Sequence, residues 1–245
     1  MAFLGLWKLY VTVKEVPTFM LPPPESIALK FFKMIIDGTL LKNGWITLYS
    51  IIIGFTLGSF LGFVAGYFSS RSKMLEDVTA PYVMLIQSTP KISLIPLFVI
   101  WFGLGITSKL LLIILSAFFP LMVNTITGFR SIPKEYYELI TILRGTRKQS
   151  LFKMELPLAM PIIIAGSKVA MVQSVIGAIV SEWIAGEQGL GYLLVYGSVL
   201  YDANLLIAAI LATAFLGVFL YSILNFVEQK LLFWHESRII ITEGA

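Results

Sequence analysis

Five apolar stretches divide this chain, each close to the ~20 residues that an α-helix needs to cross ~30 Å of hydrocarbon. They cover residues 45–68, 81–102, 109–129, 158–183 and 204–227. Between them they take up so much of the 245 residues that only 13% of the chain is charged, against 58% hydrophobic. A water-soluble domain carries about a quarter charged residues. The mean hydropathy of +0.88 agrees. The expected class is an all-α, polytopic membrane helix bundle, forming one transmembrane domain over residues 1–245 with five spans. The chain has no cysteine and one histidine, His235. That excludes a disulfide framework and leaves a zinc or haem site without ligands, so no metal and no cofactor are expected.

The first thirteen residues are apolar but too short for a full span, and Lys8 interrupts them. They lack the small-residue cleavage site of a signal peptide. They form either an abbreviated first helix or an interfacial one. Residues 21–43 follow, where Ile27, Phe31, Met34 and Ile35 oppose Lys30, Lys33 and Asp37. That amphipathic pattern predicts a helix lying in the membrane surface.

Basic residues set the orientation. Residues 130–157 hold Arg130, Lys134, Arg144, Arg147, Lys148 and Lys153, whereas residues 185–203 hold no Lys or Arg. Arg71 and Lys73 flank another turn, and Lys230 and Arg238 lie near the C-terminus. The positive-inside rule places all of these in the cytoplasm, the C-terminus included. Lys30, Lys33 and Lys42 then fall outside, against the rule.

The segment 130–157 cannot lie in lipid. Its six cations and its acids Glu135, Glu138 and Glu155 would together cost on the order of 20 kcal/mol at the centre of a span. Its apolar residues Leu139, Ile140, Leu143, Leu151 and Phe152 nevertheless recur at helical spacing. Pro133 suits a helix start and Gly145 a helix end. The expectation is a short helix, a glycine turn and a second short helix closed by Leu156–Pro157. Such a pattern suits either an interfacial helix or docking into a groove of another protein.

This segment resembles the cytoplasmic coupling loop of the permeases of ATP-binding-cassette (ABC) importers, with its Glu-Ala-Ala, three residues, Gly, and a spacer ending in Leu-Pro. Anchored on Leu156–Pro157, the motif's glutamate falls on Glu138, with Glu135 as the rival. Its alanines fall on Leu139 and Ile140, and its glycine on Arg144, one residue before Gly145. Residues 90–105, "PKISLIPLFVIWFGLG", resemble the Pro-x-x-Ala-x-x-Pro-Leu…Trp-Phe-Gly-x-Gly stretch of the nitrate, sulfonate, taurine and pyrimidine-precursor branch, with Ser93 in place of Ala. Residues 177–194, "GAIVSEWIAGEQGLGYLL", resemble that branch's Glu…Gly-Leu-Gly segment. The resemblance implies a type I importer permease, paired with a second permease chain as a homodimer. It also implies two ATPase subunits and an extracytoplasmic substrate-binding protein. The loop would couple the permease to the ATPases through Glu135, Glu138, Leu139, Ile140, Leu143, Arg144, Gly145, Leu156 and Pro157. The solute would be a small anion or a vitamin or pyrimidine precursor. The chain has no phosphate loop of its own, so ATP hydrolysis is expected in a separate subunit and this chain is not expected to be an enzyme.

Further residues stand out at membrane depth. Gly54, Gly58, Gly62 and Gly66 form a four-residue ladder, read as close helix packing inside the bundle, with a dimer seam as the other reading. Pro81, Pro90 and Pro96 punctuate one span, so Gln87, Ser88 and Lys91 sit in a candidate irregular stretch lining a pathway. Asn124, Gln173 and Ser174 are pathway groups or interhelical hydrogen-bonding groups. Lys168 either snorkels or lines the pathway, and Glu182 is either a charge at headgroup level or a lining acid. Two other functions compete. A self-contained carrier or channel should show inverted repeats, which are not evident, and a membrane scaffold would translocate nothing. An intramembrane enzyme lacks its motifs.

Overall fold

The computed structural model describes residues 2–232, with side chains from Leu4 onward. His235 and Arg238 lie outside the described residues. The helices are α1 (Ala2–Val13), α2 (Pro24–Ile36), α3 (Thr39–Arg71), α4 (Lys73–Ser88), α5 (Ile95–Phe102), α6 (Ile106–Arg130), α7 (Lys134–Ile142), α8 (Arg147–Ser150), α9 (Leu156–Ala185), α10 (Leu190–Val199) and α11 (Ala203–Leu231). Thr39–Arg71, Ile106–Arg130, Arg147–Ala185 and Ala203–Leu231 are each long and apolar enough to cross a membrane. Lys73–Ser88 and Lys91–Phe102 pass that test only together and are bent by 88° to one another, the geometry of a broken span or a re-entrant loop.

The spans differ from the sequence reading in several places. The second begins eight residues earlier, at Lys73, and breaks at Thr89–Pro90 before a 3₁₀ turn, Lys91–Leu94. Pro90 has no N–H to continue the ladder and disfavours helical backbone at Thr89, whose ψ is 130°. Leu156–Pro157 does not close a helix. The chain runs from α8 through a π-turn, Leu151–Glu155, straight into α9. Pro157 therefore lies inside one helical run, Arg147–Ala185, just after the π-turn, and it has no N–H to donate back into that widened turn. The Lys- and Arg-free segment 185–203 is not a plain loop, since it contains α10.

The chain forms two units, and α3, α6, α9 and α11 each contribute to both. The first comprises Met1–Ile53, Ile92–Leu112 and Val175–Phe219. Its core joins Met34, Leu40, Leu190, Leu193, Leu205, Ala208 and Ala209. The amphipathic helix α2 is docked there, with Ile27 and Met34 buried. Ser26 donates to Asn204 at 2.8 Å, and Lys30 pairs with Asp202 at 2.7 Å. Leu29, Phe32 and Ile36 remain exposed on the same helix.

The second unit comprises, among the described residues, Gly54–Lys91, Ile113–Ser174 and residues 220–232. Its core contains Leu121, Phe129, Ile132, Ala159 and Ile163. Here the glycine ladder of α3 meets α6. A Cβ on Gly54 would lie 2.5 Å from Ile113 Cγ2, one on Gly58 2.5 Å from the Ile114 carbonyl oxygen, and one on Gly66 2.6 Å from the Met122 carbonyl oxygen. Gly62 meets the Phe118 carbonyl in the same way. Small residues at this spacing let two backbones touch, the close approach from which membrane helices gain their packing energy.

Candidate coupling loop and translocation groove

The polar segment between α6 and α9 is ordered by its own chemistry. Pro133 caps α7 in extended conformation, and the helix ends in a six-residue turn. The Gly145 N–H donates to the Ile140 carbonyl at 2.9 Å and the Arg144 N–H to the Thr141 carbonyl at 3.0 Å. This is a Schellman motif, and its left-handed position belongs to Arg144, with φ +52°, rather than to Gly145. Thr146 then opens α8 with a reciprocal capping box to Gln149.

What holds this segment in place is a buried acid. Glu155 is 4% exposed. It accepts a hydrogen bond from Ser150 Oγ at 2.7 Å and pairs with Arg71. The Arg71 guanidinium lies over the Tyr67 ring, 4.8 Å from its centroid. Burial, and then the Glu155 carboxylate, push the Tyr137 hydroxyl above its ordinary pKa. Nothing in the local pattern distinguished Glu155 from the solvated charges beside it.

The other face of the segment is unpartnered. Leu139, Ile142, Leu143 and Phe152 are all more than half exposed. Leu139, Ile142 and Leu143 share one side of α7 and its cap by their i, i+3, i+4 spacing. Glu135, Glu138 and Arg144 are exposed nearby, while Ile140, Gly145, Leu156 and Pro157 are half-buried.

A groove of about 560 Å³ runs along α4 and α6. Gln87 and Ser88 from the last turn of α4 line it, together with Thr79, Met122, Val123 and Thr127. Ser88 and Thr127 donate to carbonyls of their own helices, Leu85 and Val123, at 3.0 and 2.9 Å. Glu76, at one end, pairs with Arg130. The other residues singled out at membrane depth do not line this groove. Lys91 places its ammonium 5.6 Å from the Phe119 ring centroid. The Asn124 amide donates to the Pro120 carbonyl at 2.8 Å, and its side chain packs on Gly166. Gln173 is exposed on α9, and Ser174 is buried and donates to Ala170. The Lys168 ammonium donates to Asn225 at 2.9 Å and pairs with Glu228.

Glu182, in the first unit, is fully buried. Its carboxylate accepts from Lys109 Nζ at 2.7 Å, from Thr47 Oγ1 at 2.8 Å and from the Gly191 N–H at 3.0 Å. Thr47 Oγ1 also accepts from the Leu190 N–H, and Asn43 Oδ1 from the Gly189 N–H. Three side chains outside α10 thereby cap the free N–H groups at its start. Gly189, at φ +116°, leaves no room for a Cβ against the carboxylate.

The family profile described as "Binding-protein-dependent transport system inner membrane component" matches residues 54–233. The chain belongs to this family of permeases. The permease is 34% identical over 237 residues to a riboflavin transport system permease protein of Chloroflexus aurantiacus, covering 97% of this chain and 88% of that protein. It is 31% identical over 234 residues to a putative aliphatic sulfonates transport permease protein of Bacillus subtilis, covering 96% and 85%. Its fold is similar to that of an inward-facing MetNI methionine ABC transporter chain at TM-score 0.70 and 17% identity, covering 80% of the permease and 97% of that chain. It is thus a multi-pass membrane subunit of an ABC importer, in the branch that its 90–105 and 177–194 segments resemble.

Proposed function

We propose that the permease imports a small organic solute, delivered by an extracytoplasmic binding protein and driven by a separate ATPase that grips the segment Arg130–Pro157. The whole chain works as one transmembrane domain, two copies pairing as a homodimer over two ATPase subunits. The C-terminus lies in the cytoplasm, and α2 rests at the outer interface. The riboflavin and sulfonate relatives support a vitamin or a related precursor, or a small anion, as the solute. The solute passes along the groove that holds Gln87 and Ser88.

The observation that carries this reading is the apolar face of Leu139, Ile142, Leu143 and Phe152, presented to solvent by a segment whose charges bar it from lipid. Its base is pinned by Glu155 and Arg71, so a push on that face reaches α9 through the π-turn. The test is Leu143→Asp in the reconstituted importer. The expected result is loss of ATPase capture on a permease that still inserts and still binds its second copy. Normal capture and coupled uptake in that variant would overturn the docking face.

A further inference from the structure

The first unit encloses a second cavity, of about 390 Å³, lined by Trp45, Tyr49, Ser50, Ile106, Lys109 and Glu187 among others. Its walls are helix ends. Trp45 and Tyr49 lie in the first three turns of α3, Lys109 in the first turn of α6, and Glu187 just past the end of α9. These are the ends opposite those that lead to Arg71 and Arg130, so on the orientation proposed above the cavity lies towards the outer headgroups. Trp and Tyr are the side chains that favour that depth.

Lys109 is the informative residue. Its side chain is 9% exposed and lines the cavity. An ammonium carries three N–H donors, and Glu182 takes one. No other acceptor meets it among the described residues. The two remaining donors can be met by water or by an oxyanion of a ligand beside Nζ. Yet Glu182 already neutralises Lys109, and Glu187 adds an exposed carboxylate with no ion-pair partner among the described residues. A simple anion therefore gains little net attraction. A group that carries an oxyanion and, a short linker away, a cation with N–H donors satisfies both ends.

We propose that this cavity binds the headgroup of a zwitterionic phospholipid with a primary ammonium, phosphatidylethanolamine. The phosphate accepts from Lys109, the ammonium donates to Glu187, and the acyl chains follow the exposed apolar wall of Trp45 and Tyr49. Phosphatidylcholine offers Glu187 no N–H, and phosphatidylglycerol carries no cation, so its phosphate charge is left uncompensated beside Glu187.

Native mass spectrometry of the permease with its ATPase, exposed to equal amounts of the three lipids, tests this. One phosphatidylethanolamine per permease chain should be retained with about tenfold preference, the worth of one charge-assisted hydrogen bond. Glu187→Gln, at an exposed position that does not threaten folding, should abolish the preference over phosphatidylcholine. Equal retention of all three lipids, or an unchanged preference in Glu187→Gln, would refute the assignment. Displacement by an equal concentration of soluble phosphoethanolamine would also refute it, giving the cavity to a soluble solute.

Discussion

Lys109 and Glu182 stand 73 residues apart in sequence and share one hydrogen-bonded ion pair, Nζ to Oε1 at 2.7 Å, with the carboxylate wholly shielded. Burying a lone carboxylate is strongly unfavourable, whereas a paired and fully hydrogen-bonded one is tolerated. The pair joins the start of α6 to the end of α9, and through Thr47 and Gly191 it also fixes α3 and α10.

Removing one partner should therefore hurt more than removing both. Lys109→Met is expected to destabilise the permease by about 3–5 kcal/mol, because Glu182 is left charged and unpaired. Lys109→Met combined with Glu182→Gln should recover a substantial part. Thermal unfolding in one detergent measures both, and equal loss in the single and double variants would contradict the account.

The glycine contacts make a second prediction. Gly58→Ala places a methyl 2.5 Å from a backbone carbonyl that cannot turn aside. The helices must part, at a cost of about 1–3 kcal/mol. Gly44→Ala, on the same helix with nothing within 4 Å, serves as the control and should be neutral or better. A matching loss at both positions would show that the effect is not the contact.

Asp202 supplies a pH dependence. Partial burial favours its neutral form. Against this, the Lys30 ammonium and the N–H groups of Leu205 and Asn204 prevail, and the carboxyl stays below its ordinary value. A depressed carboxylate contributes stability above its unfolded pKa of about 3.9, and that contribution fades as pH falls through the lower folded value. Asp202→Asn should thus be less stable than the parent at pH 7, and the gap should close as pH drops below about 4. Hydrogen exchange at the Leu205 amide, which donates to Asp202 at 3.0 Å, reports it locally. A gap constant down to pH 3 would remove Asp202 from this role.

The spans were legible because lipid demands a long apolar run whatever surrounds it. Residues 109–129 and 204–227, for example, lie wholly inside α6 and α11. The first turns of α4 were not legible, since Lys73, Glu76 and Asp77 lie before the apolar run that starts at residue 81, yet they form the polar start of the helix. Leu156–Pro157 read as a stop because proline usually ends a helix, whereas here the helix continues past it after a π-turn. Periodicity reveals faces, not partners. It offered no sign that Glu155 is buried against Arg71 or that Glu182 meets Lys109. One clue was available for the latter: a lysine and a glutamate near the ends of two spans that meet the same side of the membrane. Arg144 is a subtler case. Its place at the motif's glycine was visible in sequence, but only the backbone shows that it adopts the glycine-like left-handed conformation there.

The ladder from Gly54 to Gly66 interlocks α3 with α6 over about 18 Å of helix. Neither helix can slide along the other without one backbone climbing over the next carbonyl. In any transport cycle these two segments must travel as a single rigid plate. The hinges then have to be sought at the breaks that flank it, Ser72 and Ser131–Pro133, rather than anywhere along the shared seam.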